Sequence, residues 1–498
     1  MSIPPAALSS LRAALTSSLV FTPGDEGYLE SLRRWSDTGR KEAVQYFPLP
    51  PPPPFAYHPQ HLNQIPGQGI VIQPTETADI QTALKWIQEH NIDLAVKCGG
   101  HSVSGTSSSA GGLVMDLSRM NGVSVDTEKK TVTVGGGAVW KDVDEIAAAY
   151  GLAAVGGTVN HTGVGGLTLG GGYGWLSGQY GLTIDNLVSA TVVLANGEIV
   201  TASDTENSDL FWALRGAGYN FGVVTSFTFR AHEQREPVYA GILAYTPDKV
   251  ERVIEILNAL LLEKPDPRSG AICIFAEPPG APTPMVNVLI FYNGTQAEGE
   301  ARFADLLALA PIANTVSMIP YSQMNSLQNP MATYGDRKSF KGVFFNPPLS
   351  PQFAKMMLEE FTTKVKSDPD LAASALLLEF YDMTKTVSVP RAATAFASRG
   401  TTQNGIITLR WSDATKDLEH RAWARDVQER WKDVLEKEAG ANLDAAGKTG
   451  VPQYINYAEP GDAVVGNIYG ENLPRLKALK AKYDPTNVFR KMHPITLD

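Results

Sequence analysis

Cysteine is nearly missing from this chain: Cys98 and Cys273 are the only two among 498 residues. No disulfide framework can form beyond a single bridge, and such scarcity suits a reducing compartment. The 8 histidines are scattered, and no His or Cys pair has metal-ligand spacing, so no zinc or iron site is expected. No run approaches the roughly 20 apolar residues that span a membrane. The opening residues, MSIPPAALSSLRAALTSSLVF, lack a basic start, and Arg12 breaks their apolar run. No secretory signal is expected there, and a cytoplasmic location is. Lys and Arg form no block, and the net charge of −10 argues against nucleic acid or anionic membrane as partners. Several common motifs are absent too. There is no Walker pattern, no GxSxG elbow, and no GxGxxG opening a helix directly after a strand.

What remains is an ordinary globular composition, 43% hydrophobic and 19% charged, with length enough for about three domains or two large ones. Glycine is its unusual feature. The stretch 156–181, GGTVNHTGVGGLTLGGGYGWLSGQYG, holds eleven glycines in twenty-six residues and no Asp, Glu, Lys or Arg. Glycine costs backbone entropy on folding, so such density needs a compensating reason. One reason is a large ligand, a flavin or nucleotide diphosphate, lying against bare backbone with N–H groups aimed at it. The other is a run of tight turns between buried strands. A second glycine knot, LAVKCGGHSVSG at 94–105, reads as a short buried strand and then a turn of small residues. Successive N–H groups there could form an anion-binding nest, with Ser102 and Ser104 adding hydroxyls. His101 stands in its middle. A lone histidine is usually a satisfied polar group, but one in a phosphate-cradling loop is a candidate for chemistry.

The rest of the chain reads as alternating elements. Residues 1–47 suggest helical pieces, with Tyr28, Leu29, Leu32 and Trp35 at helix spacing, and 50–54 a polyproline II spacer. Strands are expected at 70–72, 94–97 and 113–117, a helix over 76–90, a hairpin over 123–134 and a helix over 139–150. Asn196-Gly197 marks a second hairpin, a short helix follows at 209–215, and 223–230 alternates as a strand. Glycine density drops beyond about Glu236, which is read as a domain boundary. From 237 to 450, strands at 240–245, 286–292, 375–381 and 405–411 alternate with helices at 249–262, 296–307, 352–366 and 420–439. That pattern is α+β, a sheet with helices on one face. A terminal helix is expected over 472–483, and no internal repeat is present.

Several motifs together resemble the FAD-linked oxidases of the vanillyl-alcohol oxidase/p-cresol methylhydroxylase superfamily. They are KCGGHS at 97–102, GVGG at 163–166, GGGYG at 170–174, Tyr180-Gly181 with Asp185-Asn186, and NFGVV at 220–224. YINY at 454–457 and YDPTNVF at 483–489 narrow the resemblance to the berberine-bridge-enzyme-like branch. It spans roughly residues 65 to 490. The resemblance implies an α+β fold: a split FAD-binding domain from 1–236 and 451–498, around a substrate-binding domain from 237–450. The histidine of the GGHS loop is bonded to the flavin 8α-methyl in such proteins, which makes His101 the expected covalent site. Cofactor contacts are implied for Gly99, Gly100, Ser102, Val103, Ser104 and Gly105, and for Gly163, Gly165, Gly166, Gly170, Gly171, Tyr173 and Gly174. The same holds for Asn220, Gly222, Val223, Val224, Tyr454 and Asn456.

This chain departs from that pattern in two places. Many relatives attach the flavin a second time, through a cysteine four residues before GVGG; here that position is Val159, so a single bond is expected. Some relatives carry a glutamine in a late strand of the substrate domain, and the stretch 404–408 has none in register, which puts a plant-type carbohydrate or monolignol pocket in doubt. The second tyrosine of YxNY is the base in several relatives, which points to Tyr457, with Tyr180 as a substrate contact. A phenol with a pKa near 10 must be pulled down by neighbours to act as a base at neutral pH. The implied activity is an FAD-dependent oxidase passing a hydride from a small organic substrate to the flavin, with reoxidation by O2 and release of hydrogen peroxide. An oxidative cyclase of secondary metabolism and a catalytically silent flavin-binding protein are the alternatives.

Overall fold

The computed structural model describes residues 3–40, 69–278, 280, 281, 283–439, 454–459 and 465–497. The expected polyproline segment and the expected boundary near 450 lie outside them. The first half builds two sheets. In one, Leu113–Asp116 runs parallel to both Ile70–Gln73 and Leu94–Lys97, and Leu19–Phe21 adds an antiparallel edge. The helix Thr77–Glu89 carries the chain from Ile70–Gln73 across to Leu94–Lys97, on the far side of Leu113–Asp116, and buries Ile80, Ala83, Leu84 and Ile87 on one stripe. The second sheet is antiparallel, ordered Val123–Asp126, Thr131–Gly135, Val223–Arg230, Leu187–Val193, Ile199–Ser203. Its Asn-Gly hairpin forms as expected, with Gly197 at φ +82°.

Residues 238–411 form one eight-stranded antiparallel sheet. Alternation along each strand divides its residues between two cores. Cys273, Val288, Leu376, Leu378 and Ile407 face the helices Val250–Leu262, Pro351–Ser367 and Asp417–Ala439. Ile272, Ile274, Leu289 and Phe291 face the other way, onto Tyr173, Trp175 and Leu182 of the glycine-rich stretch and onto Tyr454. That stretch is therefore sandwiched between the two halves of the molecule.

The tail returns to the first half. Ile468, Tyr469, Leu476, Leu479 and Ile495 share a core with Trp140, Phe211 and Phe227. The YDPTNVF motif has a physical role here. Lys480 and Asp484 form an ion pair with both side chains fully buried. Asp484 accepts the N–H groups of Val488 and Phe489, while Lys480 donates to the carbonyls of Asn220 and Phe489. Every charge-bearing atom is thus paired, as burial demands.

Several sequence expectations are corrected. The glycine-rich stretch is not a run of tight turns throughout: Val164–Leu169 and Ser177–Tyr180 are short helices. The first forty residues include the strand Leu19–Phe21, and Tyr28–Ser31 is a single turn that leaves Leu29 exposed. Two long strands were not expected either. Ser269–Ala276 is buried at every position, so it shows no polar alternation. Arg337–Phe345 carries Lys338 and Lys341, both almost fully buried, which disguise it as a surface segment.

Candidate active site

A cavity of about 370 Å³ lies between the glycine loops and the face of the long sheet, in the range of cofactor and ligand sites. The 98–104 loop, the 162–166 loop, Gly222, Val223 and Val224 line one side. Lys338, Phe340, Leu377, Glu379, Ile406 and Thr408 line the other, and Tyr173, Tyr454, Asn456 and Tyr457 join them.

The 98–104 loop has the character of a nest. Among the described residues, none of the backbone N–H groups of 100–105 donates to another protein group. Gly100 and Gly105 turn the chain at φ +69° and +72°, a conformation that other residues resist. Buried donors normally find acceptors, so a run of free ones beside a cavity fits a bound diphosphate.

The glycines divide by what a side chain would meet. At Gly166, which lines the cavity, an added Cβ meets nothing within 4 Å. At Gly99 it would sit 2.5 Å from the Gly163 nitrogen, so those two loops need bare backbone to pack on each other. At Gly174 it would strike the carbonyl of Gly156, at Gly170 the side chain of Asn456, and at Gly171 the ring of Phe396. Gly105, Gly170, Gly171 and Gly174 do not line the cavity. Some glycines therefore face the cavity, as a large ligand requires, and others serve a purpose the sequence did not suggest, letting protein segments approach.

Asn220 is also outside the cavity. Its amide donates to Tyr469 and the His493 carbonyl and accepts from the Ile495 N–H, tying the tail to the first half. Tyr180 is a further correction. Its ring stacks on His232 at 3.5 Å and 6°, away from the cavity, so it is not placed to contact a substrate there. The neighbouring Asp185 receives a bidentate pair from the fully buried Arg399, at 2.7 and 2.8 Å, which joins residues 214 apart in the chain.

His101 stands at one end of the cavity, its ring stacked on Trp35 with centroids 5.0 Å apart. Its Nε2 is 2.8 Å from Nδ1 of His161. Burial first, then the neighbouring His161 and the Lys338 ammonium, push its pKa down to about 3. The imidazole is neutral at any ordinary pH, which keeps a ring lone pair available as a nucleophile. Val159 lines the cavity in place of a cysteine. Cys98 also borders it, but burial raises its thiol pKa, so the reactive thiolate is disfavoured. Cys273 is buried among the helices of the long sheet.

From His101 an aromatic path leads through Trp35 and Phe340 to Tyr457. Tyr457 donates its hydroxyl to Glu379 Oε1 at 2.8 Å. Glu379 is 2% exposed, and its Oε2 has no hydrogen-bond partner among the described residues. Burial pushes the carboxyl pKa up to about 7, against the pull of the Tyr457 hydroxyl and the nearby Asn404 amide. Tyr457 itself is raised well above 10, by burial and then by the Glu379 charge. The expectation of a phenol pulled down is reversed, because its nearest charged neighbour is an anion. The group that titrates near neutrality is Glu379. Tyr454 accepts from the Gly172 N–H, and Asn456 bonds to Tyr454, Tyr219 and the Leu167 carbonyl, so YINY is anchored to the glycine-rich stretch.

Sequence reasoning missed Glu379, His161, Trp35, Lys338 and Phe340. A signal existed for Glu379: one carboxylate in the apolar strand Ala375–Tyr381, on the same face as Ala375 and Leu377. His161 carried only its place in the glycine-rich stretch, two residues after Val159.

Free N–H donors, a bare Gly166 and a neutral histidine beside one cavity make a site that fits FAD. The comparisons agree. Residues 69–203 match the family described as an FAD binding domain, and 453–496 the family described as berberine and berberine like. The FAD-linked oxidoreductase pgmH of Aspergillus terreus is 37% identical over 433 residues, 86% of this chain and 87% of that protein. The (R)-6-hydroxynicotine oxidase of Paenarthrobacter nicotinovorans is 28% identical over 88% of this chain and 92% of its own. A xylooligosaccharide oxidase from Myceliophthora thermophila superposes with a TM-score of 0.77 at 24% identity, covering 99% of each chain. The protein is an FAD-linked oxidoreductase. More narrowly, it belongs to the berberine-bridge-enzyme-like branch of the vanillyl-alcohol oxidase/p-cresol methylhydroxylase superfamily.

Proposed function

We propose that this protein is an oxidase that dehydrogenates a small organic alcohol or amine and returns the electrons to O2, releasing hydrogen peroxide. FAD bound in the cavity supplies the hydride acceptor. The protein's own part is the proton. A C–H bond leaves as hydride most easily when the attached O–H or N–H gives up its proton in the same step. Glu379 Oε2, buried and without a partner, supports the role of acceptor for that proton. Tyr457, hydrogen-bonded to Oε1, orients the carboxylate and completes the substrate's polar anchor. This acid–phenol pair inside the cavity is the observation that carries the reading.

His101 is read as the single covalent attachment residue, supported by its neutral imidazole at the cavity's end and by Val159 at the second position. The FAD-binding unit is read as 1–236 with 451–498, around a substrate unit of 237–450. The core shared by the tail and the first half supports that division. The test is anaerobic mixing with a panel of donors, followed by air. Bleaching of the flavin and one peroxide per turnover are expected; a donor that bleaches the flavin but yields no peroxide on aeration rejects the oxidase assignment.

A further inference from the structure

The face of the long sheet that bounds the cavity is ruled into rows by its register. Gln403–Trp411 pairs with Arg337–Phe345 on one side and Ala375–Tyr381 on the other. Thr408 lies between Phe340 and Ala375, and Ile406 between Gly342 and Leu377. One row further, Asn404 stands beside Glu379; at the opposite end Lys338 pairs with Arg410. Successive rows on one face are about 7 Å apart, since each is two residues along the strand.

The two middle rows thus offer a ligand a single hydroxyl, that of Thr408, amid Phe340, Ala375, Ile406 and Leu377. The cationic row is partly engaged already. Lys338 already donates to the carbonyls of Trp35 and Gly335, and Arg410 to Asp336. A sugar ring laid on this floor would bring several hydroxyls out of water and leave those that face it without partners, which costs binding for each one. At the other end the demand is reversed, because the buried Glu379 Oε2 needs one donor. Burial that raises a carboxyl also disfavours a charged ligand unless it is paired, so the donor that fits is a neutral O–H.

We propose that the substrate is a predominantly apolar alcohol, aromatic or alicyclic, and not a carbohydrate. Its reacting O–H binds Glu379 Oε2, and its hydrophobic body covers Leu377, Ile406 and Phe340. This rests on the oxidase reading for its chemistry, but binding tests it without turnover.

The experiment titrates the oxidised flavoprotein anaerobically with benzyl alcohol, 2-phenylethanol, 3-phenylpropanol and cyclohexylmethanol, against glucose, cellobiose and xylobiose. Kd comes from rapid mixing, as the initial shift in flavin absorbance or, where an alcohol bleaches the flavin, from the saturation of the bleaching rate with concentration. Along the phenylalkanols Kd should tighten about fourfold per methylene, as burial of each CH2 predicts. The sugars should give Kd values at least about a hundredfold weaker. Leu377→Asn should weaken phenylalkanol binding about tenfold or more at unchanged flavin content. Thr408→Val, which makes the two middle rows wholly apolar, should tighten phenylalkanol binding, and it provides the test if Leu377→Asn does not fold; weaker binding in that variant counts against the proposal. A flat series, or a sugar bound as tightly as the alcohols, overturns the proposal. Alcohols that bind as described without bleaching the flavin support the substrate class while telling against the oxidase reading. Bleaching by a sugar alone does the reverse.

Discussion

At the scale of single residues, the buried pair of Glu379 and Tyr457 sets the expected pH behaviour. A carboxyl with a pKa near 7 accepts a proton only when ionised, so flavin reduction should rise with pH through about 7. Glu379→Gln should slow single-turnover reduction at least about a hundredfold and abolish that rise. Tyr457→Phe separates two roles. The Tyr457 hydroxyl donates to Glu379 and lowers its pKa, so without it the rise should persist but move to higher pH. If Tyr457 were itself the base, the rise would disappear in Tyr457→Phe, and the assignment of Glu379 would fail. His101→Ala should release flavin into the supernatant on acid precipitation; flavin that stays with the polypeptide would exclude His101 as the attachment residue. His101 and Tyr457 were legible in the sequence because they sit in short contiguous motifs. Glu379 was not, because its meaning depends on a tyrosine 78 residues away.

At the scale of elements, the glycine-rich stretch mixes two demands that one-dimensional reading cannot separate. Gly166, on the helix Val164–Leu169, faces open space, so Gly166→Leu should fold with a melting temperature near wild type and carry little or no flavin. Gly174→Ala, although smaller, puts its Cβ into the Gly156 carbonyl and should lower the melting temperature markedly or prevent soluble expression. Thermal melts with flavin quantitation check both, and similar behaviour of the two variants would erase the distinction. Strands with clean alternation or a turn signal, such as those around Asn196-Gly197, were readable. Ser269–Ala276 and Arg337–Phe345 were not, since burial on both faces and buried lysines depend on partners supplied from elsewhere.

At the scale of the whole molecule, the halves depend on each other. Truncation after residue 450 removes the tail's share of the first-half core and the buried Lys480–Asp484 pair. The product should be insoluble or free of flavin, and a soluble yellow 1–450 fragment would refute the split unit. Asp144 gives a second test, at the contact of Trp140–Ala148 with Tyr321–Met324. It accepts from Asn325 at 2.8 Å, but its Oδ1 has no partner among the described residues. Burial, with a smaller contribution from Glu145, lifts its pKa from the ordinary 3.8 to about 7. Between those values the folded protein holds a proton that the unfolded chain has lost, so this residue's share of stability declines as pH rises from about 4 to 7. The gap corresponds to on the order of 4 kcal/mol. Asp144→Asn should flatten that decline in denaturant titrations across pH; an unchanged slope would exclude Asp144 as its source.

Periodicity and turn residues by themselves determined the alternation of elements, and contiguous motifs, through the family resemblance they carry, the cofactor class and the branch of the family. Each of these is written in neighbouring residues, so it can be read without knowing what lies opposite in the fold. The tertiary structure alone decided that Tyr180 stacks on His232 outside the cavity, that Asn220 anchors the tail, and that Tyr457 is paired with an anion. It also decided which glycines face the cavity and which let backbones touch. Those outcomes depend on burial and on what lies opposite across the fold, and a pKa or a packing clash is a property of that opposite side.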